Sequence, residues 1–531
     1  MEHRMPAPPP TALDRRRILR EAALLAAASL VVPAGSRRVL GRPKLGDYPF
    51  KLGVASGDPL ADGFVAWTRL APDPLDGVGG GGMPPEAVEV RWEVSRDPAF
   101  FHVVRRGHAA ALPERGHAVH AEVGGLEPDR WYWYRFVSGG EASPIGRART
   151  FPVLGSPKER LRFAFASCQH HGQGHFNAYA AMVEDDLDFV LHLGDYIYES
   201  DWGARVRPHL PEPQTLDDYR RHHALYKLDR DLQAAHAAYP FFVTWDDHEV
   251  ENDYANGQSE NGDPAEDFLR RRAAAYQAYY EHMPLRRTAR PVGPDMRLHT
   301  SASFGDLAHF ILLDNRQHRS DQACGVPGAL GGRLIPAGCA ERAAEERTML
   351  GAEQERWALR HLSGAQAAWK VLAQQQLMAQ LRQKAPGGGG AAWWSEGWDG
   401  YPAARRRLLG HIAQRRLRDV VSVGGDIHSF WVTDLKADFD DPSSATVATE
   451  FVGTSVTSAG PPVEALRAAL PDNPHIRFFE GRERGYARVE ATPALWRTDF
   501  RAVRTVARPD PGARTLNSWA VERGQAGAKP A

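Results

Sequence analysis

The sequence has few cysteines, no excess of either charge and no apolar run long enough for a membrane-spanning helix. Three cysteines among 531 residues exclude a disulfide-rich scaffold. The 65 Lys and Arg residues balance 66 Asp and Glu residues, so charge gives no basis for specific binding to nucleic acid. Apolar residues nevertheless make up 43% of the chain, which is enough for a sizeable core. The length favours more than one domain.

Paired arginines precede a short apolar segment near the N-terminus. Arg15, Arg16 and Arg17 are followed closely by the Ala-rich run EAALLAAASLVV. This order is typical of a twin-arginine export signal, and a run of about a dozen residues is too short to span a bilayer comfortably. A basic N-terminal helix of a cytosolic protein is the alternative. We predict that residues 1–45 are a signal and leader read by the twin-arginine export machinery. The protein would then be periplasmic, cell-wall-associated or extracellular, with no stable membrane span.

Residues 46–152 have the pattern of an all-β domain. Short segments rich in β-branched and aromatic residues, such as AVEVRWEVS and RWYWYRFVSGG, are separated by turn clusters such as Gly79–Gly82. This spacing predicts a small N-terminal β-sandwich. Its tryptophans, among them Trp67 and Trp131, are expected to pack in the core or against the next domain. A sugar-binding face is the alternative.

From residue 160 onward, apolar segments alternate with segments of helical apolar spacing. Six apolar segments have the length of buried strands: 161–167, 187–193, 240–245, 307–313, 368–374 and 419–425. The alternation predicts an α/β domain over residues 160–510 with a largely central sheet. Segments 216–239 and 265–283 are predicted helices. Residues 511–531 are expected to form a tail that frays from residue 524.

Polar side chains follow five of these predicted strands. They form the motifs Ser167-Cys168-Gln169, Gly194-Asp195 with Tyr198 beyond it, Asp246-Asp247-His248-Glu249, Asp314-Asn315-Arg316 and Gly425-Asp426-Ile427-His428. Each motif alone has an ordinary explanation, such as a solvated turn or, for Cys168, a small buried hydrophobe. In the usual parallel topology, however, all five would converge on one edge of the sheet, where ligands bind in open α/β folds.

The residue types in these motifs indicate metal ions. Carboxylates suit Mg²⁺, Ca²⁺ or Mn²⁺, imidazole suits Zn²⁺ or iron, and a thiolate with a phenolate favours a strongly Lewis-acidic ion such as Fe³⁺. Asp195 is the best carboxylate to bridge two ions. Adjacent metals can generate a hydroxide at neutral pH and neutralise phosphate oxygens, which is what phosphoryl hydrolysis needs.

The motifs FASCQ, HLGDYIYE, TWDDHEVENDY, LLDNRQHRSDQ and GGDIHSFWVTDL together resemble the PhoD-type alkaline phosphatases and phosphodiesterases. The resemblance extends from about Phe50 to Val506 and keeps the motifs in order. It implies a metallophosphoesterase-like α/β sandwich with an N-terminal all-β sandwich domain. It also implies an exported phosphoesterase with an active site of one Fe³⁺ and Ca²⁺, other divalent metals being alternatives.

Motif by motif, the resemblance assigns roles to individual residues. The implied iron ligands are Cys168, Asp195, Tyr198 and His428. The implied calcium ligands are Asp195, which would bridge to iron, together with Asp247, Asp426 and the neighbouring Asp246. Arg316 would bind phosphate. His248 would transfer a proton or support the ligands from behind, and Glu199 is expected to lie in that outer layer.

We therefore expect a metal-dependent phosphoric ester hydrolase in which a metal-bound oxygen attacks phosphate monoesters and diesters in line. A phosphodiesterase with phospholipase D-like preference is the alternative within enzymes. An exported protein that binds glycans or cell-wall polymer is the alternative outside them. The aromatic segment 393–398 either lies near the site, favouring an apolar leaving group, or is a packed aromatic loop.

Cys324 and Cys339 lie in a Gly- and Pro-rich insertion, QACGVPGALGGRLIPAGCAE. Export makes a disulfide between them one outcome, and two free thiols are the other. A disulfide would close a loop of about fifteen residues and contribute roughly 3 kcal/mol on the chain-entropy model. Cys168 stays outside any bridge if it binds a metal.

Overall fold

The computed structural model describes residues 47–326, 330–385, 387 and 390–531. The export signal predicted over residues 1–45 lies outside the described residues. Within the described ranges, no helix is both long and apolar enough to cross a membrane.

The strands of the described residues are numbered in chain order. They are β1 (Val54–Leu60), β2 (Gly63–Arg69), β3 (Val88–Ser95), β4 (Val103–Ala111), β5 (Ala118–Val123), β6 (Trp131–Ser138), β7 (Glu141–Ala142), β8 (Gly146–Arg149), β9 (Leu161–Ala166), β10 (Phe189–Leu193), β11 (Pro240–Thr244), β12 (Thr300–Phe304), β13 (Ala308–Leu312), β14 (Leu334–Pro336), β15 (Trp369–Ala373), β16 (Gln383–Lys384), β17 (Ala391–Trp394), β18 (Val420–Gly424), β19 (Phe430–Lys436), β20 (Thr446–Val452), β21 (Ile476–Glu480), β22 (Gly485–Ala491), β23 (Leu495–Val503), β24 (Ala513–Glu522) and β25 (Lys529–Pro530).

The α-helices of the same residues are numbered in the same way. They are α1 (Asn177–Glu184), α2 (Leu216–Lys227), α3 (Arg230–Ala238), α4 (Ala265–His282), α5 (Gly351–Gly364), α6 (Pro402–Gln414) and α7 (Val463–Ala469).

Two mixed sheets of the described residues stack face to face. The first has the strand order β25-β24-β23-β22-β9-β10-β11-β1-β2-β5, and the second has the order β12-β13-β15-β18-β20-β19-β21. Strands β9, β10, β11 and β1 are mutually parallel, as are β13, β15, β18 and β20. The core between the sheets includes Phe163 and Phe189 of the first, whose rings contact Phe310 of the second at centroid distances of 5.3 and 5.2 Å.

Helices cover the outer faces of both sheets. Helices α1 to α4 pack on the first sheet through a cluster that includes Tyr179, Tyr226 and Phe241. Helices α5 to α7 pack on the second sheet through a cluster that includes Leu362 and Leu408. This arrangement of helices outside two stacked sheets confirms the predicted α/β sandwich.

The helical segment predicted over 216–239 forms two helices because its sequence contains a second helix start. Thr215 and Asp218 form a capping box at the N-terminus of α2. Asp229 then accepts hydrogen bonds from the backbone N–H groups of Asp231 and Leu232, which caps the N-terminus of α3. Helix α4 covers the other predicted segment almost completely.

The six predicted strands are confirmed as β9, β10, β11, β13, β15 and β18, but the expected single sheet is wrong. The first three belong to the ten-stranded sheet and the last three to the seven-stranded one. All six are apolar, so the pattern of burial along each strand does not reveal which sheet it joins.

The N-terminal β domain is confirmed, but it shares a sheet with the α/β part. Strands β1, β2 and β5 extend the first sheet, and β3, β4, β6, β7 and β8 form a separate sheet packed on them through residues such as Phe64, Val90 and Tyr134. Ser56 of β1 lies opposite Pro240 of β11, so β1 covers what would otherwise be an exposed sheet edge. The boundaries at 46–152 and 160–510 stay predictions.

The expectation of a C-terminal tail is wrong. Strand β24 pairs antiparallel with β23, and β25 pairs with β24. Trp519 and Val521 are buried in the core between the two large sheets. Composition suggested fraying, but pairing with a long neighbouring strand and burial of these two side chains fix the segment.

Cys324 and Cys339 form a disulfide, so the first of the two predicted outcomes is confirmed. Nearby, β14 pairs with β17 in a small three-stranded sheet that also contains β16. Cys168 is free and buried, as a metal ligand would require.

Candidate metal centre

The candidate ligands follow equivalent strand ends. Cys168, Asp195, Asp246, Asp314 and Asp426 are each the second residue after a strand, namely β9, β10, β11, β13 and β18. These strands are parallel within their sheets, so each sheet delivers its polar residues to the same edge. The two edges meet, since Ser167 bridges to Ser455 and Gln375 donates a hydrogen bond to Thr244 at 2.8 Å.

The backbone turns sharply at these positions. Cys168, Asp195, Asp426 and His428 have φ values of 61°, 55°, 63° and 51°. Such values cost non-glycine residues about 1–3 kcal/mol each, and they concentrate at functional sites. Gly194 has φ of 108°, and a Cβ atom there would lie 2.6 Å from the backbone nitrogen of Asp246. Glycine is therefore needed for the ends of β10 and β11 to approach each other.

Three groups of side chains could each hold a metal ion, and they overlap. Within each group the ligand atoms lie within 4.8 Å of one another: Cys168, Asp195 and His428; Asp195, Asp247 and His248; Asp246, Asp247 and Asp426. Asp195 belongs to the first two groups and Asp247 to the last two. Shared carboxylates of this kind are what bridging between adjacent ions requires.

Tyr198 joins the first group. Its Oη donates a hydrogen bond to Asp195 Oδ2 at 2.9 Å and lies 3.1 Å from His428 Nε2. His428 Nδ1 lies 2.7 Å from the carbonyl oxygen of Ala459, which can only accept, so Nδ1 carries the proton and Nε2 presents a lone pair to the group. Burial and Arg484 lower the pKa of His428 to about 3, which keeps the imidazole neutral and able to bind a metal.

Some ligand oxygens have no hydrogen bond within the described part of the protein. Asp195 Oδ1 and Asp246 Oδ2 are buried, and neither receives a hydrogen bond. Buried carboxylate oxygens without partners are costly unless a cation satisfies them. The residues present therefore fit metal ions.

Protonation equilibria indicate the same need for positive charge. Burial and nearby Asp195 raise the pKa of Cys168 and of Tyr198. Burial and neighbouring carboxylates also raise the pKa of Asp195 and Asp426. Without cations the anionic forms of these groups are therefore disfavoured, and a bound metal would displace their protons.

Arg316 lies behind the ligands. It is fully buried, its Nε donates to Asp246 Oδ1, and its Nη1 donates to Glu396. Its Nη2 forms an ion pair with Asp247 Oδ1 at 3.2 Å and lies 3.9 Å from Asp426 Oδ1. The guanidinium counters the pKa-raising effect of burial on Asp247 and, with His248, lowers the pKa of that carboxyl.

His248 lines the site, and its Nδ1 atom is fixed by a neighbouring carboxylate. Its Nδ1 lies 2.7 Å from Glu199 Oε2, and its ring packs on Tyr198 at a centroid distance of 4.1 Å. Although burial disfavours the charged ring, Glu199 and Asp247 raise the pKa of His248 above its ordinary value. The expectation that Glu199 lies behind the ligands agrees with this contact.

Two acidic residues organise the site although sequence reasoning gave neither of them a role, even though Glu249 belongs to the motif that follows β11. Glu249 accepts backbone hydrogen bonds from Asp195 at 3.1 Å and Asp246 at 2.8 Å. Glu396, from the aromatic segment, accepts hydrogen bonds from Arg319 at 2.8 Å and Gln376 at 2.8 Å as well as from Arg316. Both side chains are almost fully buried. Asp246 lies only three positions before Glu249, but the other partners lie 20 to 80 positions away, so no local pattern reveals these roles.

A cavity of about 560 Å³ opens onto the ligand groups. Of the predicted site residues, those that line it are Asp195, Asp247, His248, Asp426 and His428. Cys168, Tyr198, Asp246 and Arg316 lie behind this surface. The cavity is therefore the place where a substrate would reach the ligand groups.

Comparison with known proteins identifies the family. The family described as PhoD-like phosphatase matches residues 163–500, and the PhoD-like phosphatase N-terminal domain matches residues 35–152. Alkaline phosphatase D of Bacillus subtilis (strain 168) is 45% identical over 529 residues, covering 97% of this chain and 88% of its own length. A solved structure described as "Structure of PhoD" is similar with a TM-score of 0.86 at 45% identity, covering 92% of this chain and 93% of the other. The chain therefore belongs to the PhoD-like phosphatase family.

Proposed function

We propose that this protein is a metal-dependent phosphoric ester hydrolase that acts on phosphate monoesters and diesters. The observation that carries the proposal is the set of three overlapping ligand groups at one cavity, joined through Asp195 and Asp247. Membership of the PhoD-like phosphatase family supports it. A protein that only binds glycans would not need buried carboxylate oxygens aimed at one another.

We assign Fe³⁺ to the first ligand group. We assign Ca²⁺ to the third group, Asp246, Asp247 and Asp426, with Asp195 as the bridge to iron. A thiolate, a phenolate and an imidazole beside Asp195 suit a strongly Lewis-acidic ion. Asp246, Asp247 and Asp426 supply only oxygen ligands, which suit a hard divalent cation such as Ca²⁺. Metal analysis of natively produced protein tests this assignment, since zinc as the only bound metal would contradict it.

When bound, these ions would supply Lewis-acid activation and offset charge on phosphate oxygens. The chain's own residues hold the site in shape. Asp195 joins two ligand groups, and Arg316 offsets the negative charge of Asp246 and Asp247. Because Arg316 does not line the cavity, we propose that it assists phosphate binding through this charge and not through direct contact.

We propose that His248 acts as a proton donor to the departing alkoxide and not as a metal ligand of the second group. It lines the cavity, and Glu199 fixes its ring by binding Nδ1, which leaves Nε2 for the substrate. In hydrolysis, an oxygen from water forms the new bond to phosphorus, the ester P–O bond breaks, and the alcohol leaves with a proton.

Turnover of para-nitrophenyl phosphate and of its bis-ester tests the proposed function. Both are measured with protein loaded with iron, with and without Ca²⁺. We expect activity that Ca²⁺ increases, and the ratio of diester to monoester turnover separates a phosphatase from a phosphodiesterase with phospholipase D-like preference. Absence of turnover on both esters in fully metal-loaded protein would contradict the proposal.

We also propose export by the twin-arginine route. The disulfide between Cys324 and Cys339 supports it, because such bonds persist in oxidising compartments. The test replaces Arg16 and Arg17 by lysine, which keeps the charge. Export should stop, as measured by the fraction of protein outside the cytoplasm, whereas Arg4→Lys should leave that fraction unchanged. Unaltered export of the double variant would contradict this route.

A further inference from the structure

The lining of the cavity at the ligand groups combines two kinds of chemistry. It includes the carboxylates and imidazoles described above. It also includes large apolar side chains, here called the apolar wall: Leu334, Leu377, Leu381, Trp394, Ile427 and Leu466. Hydrolysis of a phosphate ester at metal ions does not require these apolar side chains.

The apolar wall is built from separate parts of the chain. Leu334 lies on β14 and Trp394 on the neighbouring β17, where the two residues are paired in register. Leu377 and Leu381 follow β15, and Leu466 lies on α7. Several elements thus bring apolar groups to one surface beside the ligands.

Part of this wall is open to solvent. The side chain of Trp394 is 42% exposed, and that of Trp202, which also lines the cavity, is 50% exposed. When an apolar group covers a large aromatic side chain in a concave site, apolar surface is removed from water, and this lowers the free energy of the complex. An apolar part of a substrate would provide such cover.

Outside the ligand groups, the described residues that line the cavity offer no cationic side chain to a second anionic group. Among the described residues, none of those lining it is Lys or Arg, whereas Asp253, Glu396 and Asp399 all line it. Glu396 and Asp399 are already paired with buried arginines. A further carboxylate or phosphate on the substrate would therefore meet apolar side chains, amides and paired carboxylates, but no Lys or Arg. The charge of the wall therefore favours substrates whose only anion is the reacting phosphate.

We propose that the substrates are phosphate esters whose alcohol-derived group is uncharged and apolar, an alkyl chain or aromatic ring that lies against this wall. The inference rests on the proposed hydrolase function and specifies its substrate class. Trp394 and Leu466 determine specificity through contact with that group. Nucleotides and sugar phosphates with additional anionic groups are poor substrates.

The test uses ethyl, butyl and hexyl phosphate with the metal-loaded enzyme. Their leaving alcohols have similar pKa values, so chain length changes mainly the apolar contact. We expect kcat/KM for phosphate release to rise about threefold per methylene that reaches the wall. The phosphate ester of 6-hydroxyhexanoate, which ends in a carboxylate, should react at least about tenfold more slowly than hexyl phosphate.

Two variants locate the effect. Trp394→Gln should reduce the ratio of hexyl to ethyl phosphate turnover. Ala465→Arg should raise turnover of the carboxylate-ended ester relative to hexyl phosphate, because Ala465 is exposed and lines the cavity. Ala468→Arg is the matched control, since it is exposed on the same helix but does not line the cavity, and it should leave the ratio unchanged.

A flat dependence on chain length, or equal turnover of the hexyl and carboxylate-ended esters, would overturn the inference while leaving the hydrolase function intact. If no ester is hydrolysed, the proposed function fails instead. Calorimetry then measures the affinities of hexylphosphonate and ethylphosphonate for metal-loaded protein, which tests the apolar wall without turnover. Tighter binding of the hexyl compound, weakened in Trp394→Gln, supports the apolar wall, and equal affinities overturn it.

Discussion

Glu249 accepts a hydrogen bond from the backbone N–H of Asp195 at 3.1 Å, so a residue outside the three ligand groups fixes the turn that carries the carboxylate shared by two of them. The same carboxylate oxygen accepts the N–H of Asp246 at 2.8 Å, and the other oxygen accepts the N–H of Tyr196. One side chain therefore ties the end of β10 to the end of β11. The positive φ of Asp195 is held in place by this tie.

Glu249→Gln should loosen both strand ends. The amide group of Gln can accept through only one of its two positions, so at least one backbone N–H loses its buried acceptor. We expect the free energy of unfolding to fall by about 1–3 kcal/mol, and metal content to fall with it. Chemical denaturation and metal analysis measure the two effects. Glu86→Gln, at an exposed position, is the control. Unchanged metal content in Glu249→Gln would contradict a positioning role.

Asp195→Asn should abolish turnover while the fold persists. The substitution keeps the shape of the side chain but removes the negative charge that two ligand groups share. We expect kcat/KM for para-nitrophenyl phosphate to fall roughly a thousandfold or more. Circular dichroism should remain close to that of the parent protein. Asp62→Asn, on the surface, should keep full activity, and near-normal turnover of Asp195→Asn would remove Asp195 from the site.

The sequence predicts the strand ends well because local chemistry determines them. Apolar segments that end in Gly194-Asp195 or Gly425-Asp426 combine a buried strand with a turn and a carboxylate, and both turns are observed. The residue types in the motifs indicated metal ions, but the grouping of individual ligands came from the resemblance to a known family. The structure brings Cys168, Asp195 and His428 together as that resemblance implied.

Long-range pairing could not be predicted in the same way. The pairing of β1 with β11 and the folding of residues 513–522 depend on which edge is free once the other strands have assembled. Glu396 reaches Arg316 across 80 positions of sequence, within a segment that was noted only for its tryptophans. Hydrophobic periodicity records burial but not partners, so these relationships required the structure.

Tyr198→Phe should remove the visible charge-transfer band expected of a phenolate on ferric iron. The hydroxyl lies 2.9 Å from Asp195 Oδ2 and 3.1 Å from His428 Nε2, so removing it would take one candidate ligand from beside the first group. Absorption spectra of iron-loaded protein measure the change. Tyr226→Phe is the control, because its hydroxyl accepts a hydrogen bond from the backbone of Tyr198 at 3.0 Å without joining the group. An unaltered spectrum of Tyr198→Phe would mean that Tyr198 is not a ligand.

His192→Phe should make the protein less sensitive to acid. His192 is buried in β10 with neither ring nitrogen hydrogen-bonded, and burial together with Lys227 lowers its pKa to about 3. Between pH 6.5 and 3 the unfolded chain binds a proton at this residue and the folded protein does not, so stability falls as pH decreases through this window. From pH 6.5 to 5 the loss is about 2 kcal/mol, at about 1.4 kcal/mol per pH unit. The difference in free energy of unfolding between pH 7 and pH 5 should therefore be about 2 kcal/mol smaller in the variant than in the parent.

Urea denaturation at both pH values measures this difference, with His102→Phe, at an exposed position, as the control. An equal pH dependence in parent and His192→Phe would show that His192 is protonated in the folded state.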